Sequence, residues 1–318
     1  MQTISKKTSI EFVVIALCTC KRPHMLKKAL HSIEKILVPE NIIVEVLVVE
    51  NDSTEMSREV VEFFQKNSKY EVHYHCEPKR GIAYARNKVL DEACKLGASH
   101  LLFFDDDELL SENCLKAHID YYNLNEEAII ISGPTPSIFE KGVPSYISKH
   151  MVFKQKTTKK SGQVKGNCAA GNVFFPLSLV RDYGLKFSEE YVFMGGEDGD
   201  FFEKASKLGF TIVQNNEAII YESVPKARAN IKYILKKCYY NGYAGAYGRF
   251  KNKNKKRTPY VLKNFVVFAF NCLLVLPALF TGLTNFFNAL GISFRTKGKI
   301  DGAIRNKPYN FYENIYGE

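Results

Sequence analysis

A doubly wound α/β fold with a mostly parallel sheet and helices on both faces is predicted from three features of the sequence. Short apolar and β-branched runs alternate with helix-like segments through the first half of the chain, which is the pattern of βαβ units. The fourth run, LLFFDDDE at 101–108, reads as a fully buried strand that stops abruptly at acids. Carboxylates at the carboxyl end of such a strand lie where open α/β sheets place their ligands. With 318 residues, 46% of them hydrophobic, the chain can bury one large domain and carry an appendage.

The first strand is expected over 11–18. Lys6 and Lys7 before it give a superficial likeness to a signal peptide, but Glu11 interrupts the apolar run and CTCKRP follows it in place of a small-residue cleavage site. A helix over 24–36 then leads to a second strand, 42–50, after which NDST opens a helix to about Gln65. Asn51, Asp52 and Ser53 suit helix capping or, at a strand end, hydrogen bonding to a ligand. A third strand, 70–76, puts His73 and His75 on one face, with no third metal ligand nearby. Gly81 begins a helix to about Gly97, and Arg80 and Arg86 lie near its amino terminus, where backbone N–H groups favour an anion.

In LLFFDDDE, strand alternation sends Asp105 and Asp107 to one side and Asp106 to the other. Such a pair suits a hard divalent cation that also holds phosphates; the alternative is acids favoured by the dipole of a helix starting near Ser111. Beyond Gly133 the sequence turns irregular, and 154–165 carries five lysines and no acid. That segment reads as a mobile loop closing on an anionic substrate or equally as a solvated charged loop. A strand over 167–175 follows, with Gly171 and Asn172 allowing a bulge or a close ligand contact. In GGEDGDFF the paired glycines turn the chain, and Glu197, Asp198 and Asp200 stand at the start of a helix to about Gly209. Capping explains one or two of these acids, and a third leaves room for a catalytic carboxylate.

The eight cysteines are scattered, as small buried thiols of a reducing compartment are, and Cys18 with Cys20 forms one isolated C-x-C. Neither G-x-G-x-x-G after the first strand nor G-x-x-x-x-G-K-[ST] occurs, so the dinucleotide fingerprint and the P-loop are excluded.

The net charge of +10 is unevenly distributed. From Pro225 to Glu318 there are 17 basic and three acidic residues, which leaves 27 basic and 31 acidic residues in 1–224 out of totals of 44 and 34. The basic segment contains an aromatic stretch over 229–248 that suits a helix at a membrane interface or packed on the domain. It also contains 19 uncharged residues at 265–283, close to the 20 or so that span a bilayer. Basic flanks on both sides favour a hairpin bent near Pro277, or an interfacial segment, over a simple span. A buried helical hairpin is the alternative. An anionic membrane surface is therefore the expected partner, and no nucleic acid is expected, because the aromatics accompany an uncharged run.

Taken in order, CTCKRP, VVENDS, RGIAYARN, FFDDDE, AAGNVFF and GGEDGDFF resemble the inverting glycosyltransferases of family 2, of GT-A type fold, and most the succinoglycan-type exopolysaccharide branch, over about 11–230. The resemblance implies a catalytic domain over 1–225, with a nucleotide-sugar half to about 133 and an acceptor half over 134–225, and a membrane-associated tail over 226–318. It implies that Asp105 and Asp107 hold Mg²⁺ or Mn²⁺ on the diphosphate of a nucleoside-diphosphate sugar, a UDP-sugar foremost. Thr19, Glu50 and Asn51 would border the base, Arg80 and Arg86 would lie toward the phosphates, Asp106 would belong to the same donor site, and Arg228 would face the anionic donor. Asp198 would be the general base, with Glu197 as the alternative. Members of this family commonly have two aspartates where this chain has Glu50 and Asn51. The acceptor would be a saccharide or lipid-linked hydroxyl at the cytoplasmic face of the membrane. A sugar-phosphate nucleotidyltransferase is a second reading, for which CTCKRP is too poor in glycine. A sugar- or nucleotide-binding scaffold is a third, against which the complete set of acids speaks.

Overall fold

The computed structural model describes residues 7–127, 129–154, 160–251, 256–305 and 307–311. Its first half follows the predicted alternation: β1 (Phe12–Thr19), α1 (Pro23–Ile33), β2 (Ile43–Glu50), α2 (Arg58–Asn67), β3 (Glu71–Cys76), α3 (Ile82–Lys95) and β4 (His100–Asp105). These four strands pair in parallel, in the order β3-β2-β1-β4. Val13, Ile15 and Leu17 pack on one face with Leu26 and Leu30 of α1 and Val61 of α2. Val14, Ala16 and Cys18 pack on the other with Ala85 and Val89 of α3. Both faces are therefore covered, as a continuous apolar run in β1 requires. The registers Thr19 to Glu50 and Cys18 to Asp105 bring the carboxyl ends of β1, β2 and β4 to one edge.

The helix expected from NDST begins only at Arg58. Ser57 donates its backbone N–H and its hydroxyl to the Glu50 carboxylate, so 51–57 forms a turn closed on the strand end.

The second half extends the sheet with mixed polarity. It comprises β5 (Glu108–Leu110), α4 (Cys114–Leu124), β6 (Ile130–Ser132), β7 (Ser137–Phe139), α5 (Ser145–Ser148), β8 (Val164–Lys165), β9 (Val173–Pro176), α6 (Ser178–Arg181), α7 (Glu197–Lys207), β10 (Ile212–Gln214) and β11 (Ile220–Val224). β9 runs antiparallel between β4 and β6, and β5, β11 and β7 form a separate small sheet. Of the lysine-rich segment, 155–159 lie outside the described residues, and Val164–Lys165 pairs with β10 as a strand edge instead of forming a free loop. The strand expected from 167 starts at Val173, because Asn172 adopts φ +60°. The buried Asn172 amide donates to the carbonyls of Pro134 (2.9 Å) and Ala218 (2.7 Å), and its oxygen lies 2.8 Å from His118 Nε2. Gly133 is required beside it, since a Cβ there would lie 2.0 Å from the Ala218 carbonyl.

Three long helices complete the chain: α8 (Ile231–Phe250), α9 (Thr258–Leu279) and α10 (Leu283–Arg305). α8 does not lie free at an interface. Its Ile234, Cys238, Tyr240 and Tyr243 are buried, and the Tyr240 hydroxyl donates to the Met194 carbonyl. It meets α10 at backbone contact, where a Cβ on Gly242 would sit 1.9 Å from the Arg295 carbonyl and one on Gly298 2.0 Å from that of Tyr239. α9 is long and apolar enough to cross a membrane, and nearly all of its apolar stretch is unburied. The hairpin turns at 280–282, where Gly282 has φ +112°, three residues beyond the predicted Pro277, which α9 accommodates near its end.

Asn172→Ala leaves the buried Ala218 carbonyl without its donor, a cost of about 1–3 kcal/mol, while the Pro134 carbonyl keeps the Ile220 N–H (3.1 Å). Urea unfolding is expected to show a loss of about 2 kcal/mol at unchanged slope; a loss below about 0.5 kcal/mol would refute this role.

Candidate active site

The carboxyl ends of β1, β2 and β4 and the amino ends of α3 and α7 surround a cavity of about 380 Å³. β4 ends at Asp105, and 106–107 form a turn. Strand alternation therefore stops at Asp105, and Asp106 does not point away: all three aspartates line the cavity. Asp106 accepts from Thr19 Oγ1 (2.8 Å) and Arg22 Nη1 (3.0 Å). Asp107 accepts from Arg228 and lies 3.7 Å from Arg22 Nη1. Asp105 accepts from Arg86 Nη2 (3.0 Å), and its backbone N–H donates to Glu108 (2.8 Å).

Arg86 is 5% exposed and spends its other terminal nitrogen on Glu197. It is thus a bridge between two acids in the cavity wall. Burial opposes its charge, but Asp105 and Glu197 outweigh burial and raise its pKa. Glu197 opens α7 after Gly195 (φ +75°) and Gly196 (φ +102°), a turn in a backbone region that favours glycine. Burial pushes its carboxyl up to about 7 against the opposing charge of Arg86, and its Oε2 has no hydrogen bond among the described residues. Asp198, beside it, is half-buried and faces the cavity; its Oδ1 accepts from the Gly199 N–H (2.7 Å).

The predicted base-binding residues divide. Thr19 and Asn51 line the cavity, whereas Glu50 does not. The Glu50 carboxylate, fully buried, accepts from Ser57 and from the Tyr74 hydroxyl (2.8 Å); it is a structural anchor, because the strand-end turn needs an acceptor there. Asn51 donates to the carbonyls of Glu77 (3.0 Å) and Lys79 (2.8 Å) and accepts from the Gly81 N–H (2.7 Å). It holds the 77–81 loop, and with it Arg80, against the cavity. His73 pairs with Glu45 (2.7 Å) and His75 lies 3.7 Å from Glu92, so the two histidines serve different acids.

Sequence reasoning passed over Arg22, Glu108, Glu222, Tyr233 and Lys237, all of which line the cavity. Arg22, in the loop after β1, was legible as a cation at a strand's carboxyl end; the others depend on long-range packing. Arg228, Tyr233 and Lys237 come from beyond residue 225, so the tail supplies part of the wall.

The arginines take Asp105 Oδ1 and Asp107 Oδ2, so the other oxygen of each carboxylate stands outside these ion pairs. Burial and the neighbouring acids push the carboxyls of Asp105 and Glu108 upward, and burial brings Asp106 to about 6 despite Arg22. Hard oxygens in an acid-rich cluster open to the cavity fit Mg²⁺ or Mn²⁺.

The sequence profile of glycosyl transferase family 2 matches residues 14–184. The chain belongs to this family of glycosyltransferases. Among its relatives, the succinoglycan biosynthesis protein ExoM of Rhizobium meliloti (strain 1021) is 28% identical over 229 residues, 72% of each chain. Among solved structures, the mannosyltransferase PcManGT from Pyrobaculum calidifontis, in complex with GDP-Man and Mn²⁺, has a TM-score of 0.64 at 14% identity, over 96% of this chain and 90% of that one. S. aureus TarS 1–349, in complex with UDP-GlcNAc, has a TM-score of 0.55 at 16% identity, over 92% and 91%. The family 2 fold is thus shared with enzymes solved bound to nucleotide sugars.

Because the Glu197 pKa is raised on folding, the folded state holds the extra proton between the ordinary glutamate range and about pH 7. Its contribution to stability is therefore full at low pH and lost as pH rises through 7. Thermal melts of the ligand-free protein are expected to decline from pH 5 to 7.5 and to decline less steeply in Glu197→Gln; equal slopes would contradict the assignment.

Proposed function

We propose that this protein is an inverting, metal-dependent glycosyltransferase that moves a sugar from a nucleoside-diphosphate sugar to a hydroxyl of a saccharide or lipid-linked acceptor. The observation that carries this reading is that Asp105, Asp107 and Asp198 front a single cavity, with Arg86 linking the Asp105 end to the first residue of α7. In this reading Asp105 and Asp107 hold Mg²⁺ or Mn²⁺ through the oxygens that the arginines leave open. The cation supplies Lewis-acid neutralisation of the departing diphosphate.

The protein's own groups account for the rest. Asp198 takes the proton of the attacking hydroxyl, a contribution of typically about 10²–10⁴-fold. It is better placed than Glu197, which is buried against Arg86. Arg22 and Arg228, held on Asp106 and Asp107, lie within reach of charge developing on the leaving group. A base and a leaving-group clamp on one cavity support a single displacement with inversion. We place the catalytic domain at 1–225, its cavity wall completed by Arg228 and by α8 from the tail, and the 226–318 segment against the cytoplasmic face of an anionic membrane. A UDP-sugar is the donor proposed first, with the Asn51-held 77–81 main chain beside the base.

Two measurements test this. Nucleoside diphosphate release from the donor by Asp198→Asn is expected to fall by at least about 10²-fold with donor affinity kept; full activity in Asp198→Asn with loss in Glu197→Gln would reverse the assignment. A thermal-shift series with UDP and GDP is expected to show stabilisation by one nucleotide only when Mn²⁺ is present, about 2.7 kcal/mol at a hundredfold excess over Kd. Indifference to both nucleotides would sink the proposal.

A further inference from the structure

The cavity has one wall that is tied to the most apolar exposed part of the molecule. Val152 and Phe153 line the cavity and close the segment 145–153. That segment is held by the start of α10. His150, fully buried, donates from Nε2 to the Phe287 carbonyl (3.0 Å) and accepts the Val152 N–H on Nδ1 (3.1 Å), so both ring nitrogens are committed. The Met151 N–H donates to Asn288 Oδ1 (2.8 Å), and Tyr146 stacks on Phe287 at 5.2 Å. Gly291 completes the fit, since a Cβ there would come within 2.9 Å of His150 Nε2. On its other side the segment packs through Ile147 on Ile234 and Cys238 of α8, the helix that also brings Tyr233 and Lys237 to the cavity.

Phe287, Asn288 and Gly291 lie just beyond the turn that joins α10 to α9. Along α9 only Asn264 is buried, while Phe265, Val266, Leu273 and Leu276 are exposed, and Phe280 at the turn is 93% exposed. An apolar surface of this extent marks an interaction site. Its surroundings indicate the partner: the hairpin carries Lys263 on α9 and Arg295, Lys297 and Lys299 on α10, within a 225–318 segment of 17 basic and three acidic residues. Apolar side chains beside an excess of cations match lipid tails beneath anionic headgroups.

We infer that the α9–α10 hairpin docks on an anionic bilayer and that docking fixes the 145–153 wall of the cavity through Tyr146, His150 and Asn288. This rests on the membrane placement proposed above and adds regulation of the same site: the cavity is fully formed when the hairpin is seated on lipid. A bilayer that restrains α10 near its start restrains the three contacts made there, and through them Val152 and Phe153.

Hydrogen–deuterium exchange of the full chain tests this, in buffer, with phosphatidylcholine vesicles and with vesicles half phosphatidylglycerol. The phosphatidylglycerol vesicles are expected to slow exchange in both 258–283 and 145–153 by about threefold or more, and neutral vesicles much less. In Tyr146→Ala/Asn288→Ala the protection of 258–283 is expected to persist while the response of 145–153 is lost. Phe265→Glu, remote from the cavity, is expected to abolish vesicle binding with the nucleotide-induced thermal shift unchanged. Protection of 258–283 with 145–153 unmoved overturns the coupling and leaves the membrane placement standing. A 145–153 response that survives the double substitution overturns the route. Equal docking on neutral vesicles removes the anionic part, and no docking at all overturns membrane placement and coupling together.

Discussion

A buried guanidinium with a carboxylate on either side is the interaction on which the cavity depends. Arg86 reaches Asp105 at the end of β4 and Glu197 at the start of α7, with the rings of Phe103 and Phe187 each 5.7 Å away. An arginine in such an apolar setting is tolerable only because both terminal nitrogens are paired. Removing one partner of a buried ion pair typically costs about 3–5 kcal/mol, since the other charge is left stranded. The same bridge fixes the spacing between the acids of β4 and the first turn of α7, so stability and the geometry of the site have one origin.

The remaining acids follow the same logic with fewer cations. Arg22 serves both Asp106 and Asp107, Arg228 serves Asp107, and Glu108 is satisfied mainly by the Asp105 backbone N–H. Burial then drives the carboxyls of Asp105, Asp106, Glu108, Glu197 and Glu222 upward together. Like charges confined in this way favour either protons or a cation, and open carboxylate oxygens on Asp105 and Asp107 give a cation somewhere to sit.

The C-terminal helices are part of the same body as the sheet. Backbone contact at Gly242, Gly298 and Gly302 locks α10 onto α8, and α8 carries Tyr233 and Lys237 to the cavity. α9, by contrast, is apolar and buries only Asn264 among its residues. Catalytic wall and apolar surface are therefore separated by two tightly packed helices, a short mechanical path.

Local sequence determined the elements whose signals are local. An uninterrupted apolar run gave β1 and β4 because a strand covered on both faces has no polar side; acids at the end of β4, and acids after paired glycines at α7, marked the two sides of the cavity because strand ends and helix starts place side chains predictably. The 265–283 run marked the exposed apolar helix α9 because length and lack of charge suffice to pick out such a helix. What only the tertiary structure decided was direction and pairing. Glu50 stands at a strand end like Asp105, yet turns away from the cavity because Ser57 and Tyr74 offer it three donors. Asp106 turns inward because the strand has already ended. Arg86 bridges acids 19 and 111 residues away, and Arg228 meets Asp107 across 121. Such pairings arise from the closing of the chain on itself, where the cost of burying charge selects partners that no neighbouring residue reveals.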